Sequence, residues 1–77
     1  LKPTIGRIVH YWYEKGDARE LRSAPALITE VDDPESESSA IGLAVFGSTN
    51  LTFYRHVPIG TLPKPAVHSW TWPERAK

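Results

Sequence analysis

Seven side chains carry most of the chemistry this sequence offers: His10, Trp12, Tyr54, Arg55, His56, Trp70 and Trp72. They fall in runs rich in β-branched and aromatic residues, where successive side chains alternate between the two faces of a strand. In Ile5–Tyr13 (IGRIVHYWY) alternation puts Val9 and Tyr11 on one face and Ile8, His10 and Trp12 on the other. In Leu51–Val57 (LTFYRHV) it groups Leu51, Phe53 and Val57, leaving Thr52, Tyr54 and His56 opposite. With Val9 and Phe53 turned inward, His10, Trp12, Tyr54 and His56 emerge together on the solvent side. Indole, phenol and imidazole rings exposed side by side suit stacking on a flat ring and hydrogen bonding to its edge. A contact between subunits, or a cover over an open core, uses the same residue types. The opposite phase, with Trp12 inward and Tyr11 outward, is the competing reading of the first run.

Trp70 and Trp72 flank Thr71 and share a face, so they serve either as a clamp closing the core or as a stacking platform. Arg7 and Arg55 alternate with apolar residues. A strand arginine of this kind is expected to pair with a carboxylate such as Glu30, although a guanidinium also grips phosphate in bidentate fashion. The spacing of His10, His56 and His68 fits no compact metal motif, and neither a metal nor a cofactor is expected. Catalysis is not expected either. The chain lacks a Gly-rich phosphate loop, a G-x-S-x-G elbow, an H-E-x-x-H pair and any cysteine. Asp32, Asp33, Glu35 and Glu37 cluster in a Ser-rich stretch that reads as a solvated, mobile loop, unsuited to acid–base geometry.

The elements that must position these residues are short strands. Besides the two runs above, Ala26–Val31, Ala40–Phe46 and Ser69–Trp72 have strand character. Gly47-Ser48-Thr49-Asn50 reads as a tight hairpin connection, and Pro58 to Pro65 as an extended crossover without ladder bonds. Asp17 with Glu20 three residues on is an acidic capping box, so a short helical turn over 16–22 is an option. The chain, 77 residues long, is therefore expected to be one all-β domain over 1–77: a small five-stranded antiparallel barrel (SH3-like) or a compact sandwich. So short a domain has a thin core, and without disulfides a homo-oligomer is expected to supply stability. Nine basic residues balance nine acidic ones, which argues against the duplex binding that a basic stripe supports and leaves self-association unopposed. No apolar stretch approaches the ~20 residues of a membrane span, so no membrane partner is expected. Leu1-Lys2-Pro3-Thr4 lacks the layout of a secretory signal.

Three stretches carry a resemblance: Pro3-Thr4-Ile5-Gly6-Arg7-Ile8-Val9-His10-Tyr11, Gly42-Leu43-Ala44-Val45-Phe46 with Val57-Pro58, and Trp70-Thr71-Trp72-Pro73-Glu74. Together they resemble a widespread group of short bacteriophage proteins that open on a P-T-x-G-R-I-V-H-Y run and close on a W-x-W-P-E run. The charged stretch Tyr13 to Ser23 and the proline-rich Pro63 to His68 depart from that pattern. The resemblance implies an accessory protein of the host bacterial cytoplasm, with no activity attached to it. By analogy of size and context, the expected function is sequestration of a nucleotide-type immune signal by a homo-oligomer. The alternatives are a virion or assembly component that binds another phage or host protein, and a single-stranded nucleic-acid binder.

Overall fold

The computed structural model describes residues 2–15, 20–62 and 64–73. Five strands, β1 (Ile8–Lys15), β2 (Glu20–Val31), β3 (Ile41–Phe46), β4 (Leu51–Val57) and β5 (Ser69–Thr71), form one sheet in the order β4-β3-β2-β1-β5. Every neighbouring pair is antiparallel, and there is no helix among the described residues. The all-β expectation holds. β1 starts at Ile8, later than Ile5, because Thr4–Arg7 make a turn: the Arg7 N–H donates to the Thr4 carbonyl at 3.2 Å and Gly6 takes φ +93°. That is the turn position for which glycine, lacking Cβ, is suited.

The helical option is overturned at Glu20, Leu21 and Arg22, which are extended in β2 and paired with Lys15, Glu14 and Tyr13. Positions 16–19 lie outside the described residues. A single helical turn closes few hydrogen bonds for the dihedrals it fixes, whereas pairing with β1 gives these residues ladder partners. β2 also runs through Pro25, starting well before the Ala26 limit read from sequence. Pairing with β3 begins only at Ala26, so on that side the missing proline N–H interrupts no ladder.

One face of the sheet holds the core. Val9, Ala26, Ile28, Ile41, Leu43 and Val57 are buried there, capped by the fully buried Trp70. The Trp70 indole N–H donates to the Ser39 carbonyl at 3.2 Å, tying the β5 edge to the β2–β3 loop. That loop is knit rather than loose: the Asp32 and Asp33 N–H groups donate to the Ala40 carbonyl and Ser39 Oγ, and the Asp33 carboxylate accepts from the Glu35 N–H. The crossover after β4 does make ladder bonds, contrary to expectation. Trp70 N–H donates to the Pro58 carbonyl and Gly60 N–H to the Trp70 carbonyl, a parallel bridge at Ile59.

Two bulges meet at Gly42. On one side Ile28 and Glu30 of β2 oppose Leu43 and Gly42, leaving Thr29 as the extra residue. On the other, Leu43 pairs with Tyr54 and Ile41 with Val57, so two steps of β3 oppose three of β4. His56 adopts φ +56° within that second bulge. The bulge corrects the faces read for β4. Val57 points inward as expected, but Leu51 and Phe53 point outward and Thr52 and Tyr54 inward. Simple alternation fails because the extra residue reverses the phase between Tyr54 and Val57.

Candidate functional site

Along β1 the inner face continues from Val9 to Tyr11 and Tyr13, past the end of the aliphatic core. Tyr54 reaches the same place from β4, because the hairpin Gly47–Asn50 fixes Thr52 opposite Val45 and Tyr54 opposite Leu43. The rings stack: Tyr11 and Tyr54 have centroids 4.8 Å apart and planes 17° apart, and Tyr11 and Tyr13 lie 6.3 Å apart at 9°. His68, just before β5, stands edge-on to both Tyr11 and Tyr54. Its Nδ1 lies 2.7 Å from the Tyr11 hydroxyl, and its N–H donates to the Trp12 carbonyl. His68 holds φ +62°, a left-handed conformation that side chains other than glycine seldom adopt. Burial, and after it the adjacent Tyr54 phenol, push the Tyr11 hydroxyl up to about 12. Tyr11 therefore stays protonated at neutral pH.

These tyrosines line a concavity of about 400 Å³ that opens to solvent. Its far wall is the β3–β4 hairpin, with Ser48, Asn50 and Thr52 presenting polar groups, and Glu14 borders it from β1. Small-molecule sites commonly run from ~300 Å³ upward and combine apolar or aromatic walls with a few polar groups. Beyond the mouth, β1 and β2 pair only with each other, and alternation from Tyr13 puts Lys15 and Arg22 on this same face. Arg22 there forms an exposed ion pair with Glu20 at 3.1 Å.

A second, smaller groove of about 230 Å³ lies on the outer face, lined by His10, Trp12, Ser23, Leu62, Thr71 and Trp72. Trp12 Nε1 donates to Thr71 Oγ1 at 2.8 Å, and His10 meets Trp12 edge-on at 6.4 Å.

The seven residues singled out by sequence do not form one site. His10, Trp12 and Trp72 come together in the outer groove. Tyr54 is on the opposite face, stacked on Tyr11. His56 sits at the β4 bulge with Nδ1 2.8 Å from the Asp32 carboxylate. Arg55 pairs with Glu30 at 3.5 Å, the partner the sequence suggested. Trp70 is buried and holds Ser39, so it is a clamp and offers no surface to a ligand. Trp72 stands edge-on to Trp70 and carries the Arg7 guanidinium 5.7 Å from its ring centre. Among the described residues no cluster of three His, Cys, Asp or Glu is placed to hold a metal ion.

Sequence reasoning passed over Tyr11, Tyr13, Asn50 and His68 as ligand groups. The alternation from Val9 already puts both tyrosines on the inner face. What it lacks is any sign that the core stops short of them. No protein-family model, curated protein or solved structure matches this chain.

Proposed function

We propose that this protein is a non-enzymatic accessory binding module that holds a planar, nucleotide-type small molecule in the Tyr11–Tyr13–Tyr54 concavity. The observation that carries this reading is the stacked tyrosine set opening onto a cavity large enough for a nucleoside. A base inserted beside these rings gains stacking worth roughly 1–3 kcal/mol. Asn50 and Thr52 offer hydrogen-bond donors and acceptors to its edge. Among the described residues the lining holds no cationic group, so a phosphate is disfavoured inside and favoured at the mouth. There, Lys15 and Arg22 lie on the same face. A nucleotide thus fits with its base inward and its phosphate toward the β1–β2 arm. The phage resemblance supports a role in sequestering such a molecule from its host receptor.

The test is a thermal-shift and calorimetry screen of cyclic and linear nucleotides. At a hundred times the dissociation constant, a ligand specific for the native state adds about 2.7 kcal/mol of stability, a shift of roughly 10–20 °C for a domain this small. Tyr13→Ala and Asn50→Ala, both at the rim, are expected to abolish the shift while leaving the unliganded melting temperature within a few degrees. If no nucleotide or nucleoside shifts the wild-type protein, the reading fails.

A further inference from the structure

The outer face of the sheet presents a feature the tyrosine concavity does not use. Cross-strand pairing aligns Ile8, Leu27, Ala44 and Phe53 in one row across β1, β2, β3 and β4. The pair Phe46 and Leu51 extends the row at the hairpin end. Ile8 is 62% exposed, Phe53 68%, Phe46 47% and Leu51 48%, while Ala44 at the middle is 5% exposed. These side chains leave about 400 Å² of apolar surface in water, within the range of the largest patches monomers carry, which are often functional.

We infer that this row is the interface of a face-to-face homodimer, with a second copy of this chain as its occupant. The order of side chains along the row is self-complementary. A two-fold axis lying between the faces and parallel to the strands sets Ala44 against Leu27 of the second copy. The same axis sets Phe53 against Ile8 of the second copy. Small meets large at the centre, and tall side chains at the ends compensate the curvature of the sheet. This is the reciprocal matching an isologous interface demands. Two such faces, with the flanking Pro25, His10 and Trp12, bury on the order of 1,000 Å² in total, the lower bound for a specific interface.

Electrostatics agrees. No ionised side chain lies in the row, and at its flank Arg55 and Glu30 already neutralise each other. Stacking two copies therefore desolvates no unpaired charge. The chain's zero net charge adds no long-range repulsion.

Sedimentation equilibrium from about 1 to 100 µM tests the inference. The wild-type protein is expected to show twice its 8.6 kDa chain mass at the upper concentrations. Phe53→Glu and Ile8→Glu, both at exposed positions, are expected to weaken association at least a hundredfold while leaving the far-UV spectrum unchanged. Tyr54→Phe, on the opposite face, leaves the mass unaltered. A wild-type protein that stays monomeric at every concentration overturns the inference. So does a dimer that survives both glutamates.

Discussion

Adjacent residues in β4 give the sharpest test of the fold, because alternation without a bulge and the observed pairing assign them opposite environments. Phe53 is 68% exposed on the outer face, and Tyr54 is stacked on Tyr11 at 4.8 Å and flanked by His68. Replacing each by serine exchanges these expectations for numbers. A fully buried phenylalanine costs 3–5 kcal/mol to truncate, so one with about a third of its surface covered costs roughly 1 kcal/mol. For Tyr54 the stack alone contributes about 0.5–1.5 kcal/mol, and loss of its packing against the core raises the total to about 2–3 kcal/mol. Urea unfolding followed by tryptophan fluorescence reads both, since Trp70 is buried in the folded state. With a slope near 1 kcal/mol/M for so small a domain, the midpoint falls by ~1 M for Phe53→Ser and by ~2–3 M for Tyr54→Ser. The measurement belongs at the lowest workable protein concentration, where association contributes nothing. If Phe53→Ser is the more damaging variant there, the bulge between Tyr54 and Val57 is misplaced and the tyrosine concavity with it.

Two further outcomes follow from the same geometry. The Tyr11 hydroxyl, raised from 10.0 to about 12 in the folded state, contributes stability that is complete below pH 10 and is lost as the pH rises toward 12. Unfolding free energy should drop by up to about 2 kcal/mol across that window, and Tyr11→Phe should remove this part of the decline. Deleting His56 should leave a folded protein within about 1 kcal/mol of the parent by urea titration. The deletion leaves Tyr54 and Val57 two residues apart and both inward without a bulge, removes a left-handed residue and gives up the exposed His56–Asp32 hydrogen bond.

The strands themselves were legible from residue type, and β4 matches its sequence-read limits. The inner face of β1 followed from Val9 and the alternation beside it. The Trp70 clamp was one of two readings open for that residue. What sequence could not show were events that break a period: the extra residues opposite Gly42, and the extension of β2 through Pro25. Those two bulges depend on pairing between segments distant in the chain, and no local propensity encodes them. The candidate site was misread for the same reason. One unseen bulge moved Tyr54 from the side of His10 and Trp12 to the side of Tyr11, and separated residues that alternation had gathered.

Gly42 explains why the sheet has a hollow to offer at all. It lies between both bulges, so β2, β3 and β4 all change direction at one level. Bulges sharpen local twist and bend the strand that carries them. Here the glycine lets Glu30 and Arg55 meet across it on the outer side. A Cβ at this position would come within 3.0 Å of the Glu30 Cβ and 3.1 Å of the Thr29 hydroxyl, so even alanine forces the neighbouring strand to give. The bend brings Val57 over the core and turns the post-β4 segment toward β5, where Pro58 and Gly60 find Trp70. The aliphatic core is deepest around Ile28, Ile41 and Val57 and thins to Ala24 and Val45 toward the concavity. There, Tyr11 of β1 stacks on Tyr54 of β4, and Ala24 and Val45 are the aliphatic residues lining the space between the tyrosines and the hairpin. A pocket in so small a domain is thus a consequence of where the sheet bends. Substitutions at Gly42 should act on the concavity through its shape, while those at Tyr13 and Asn50 act on it through its lining.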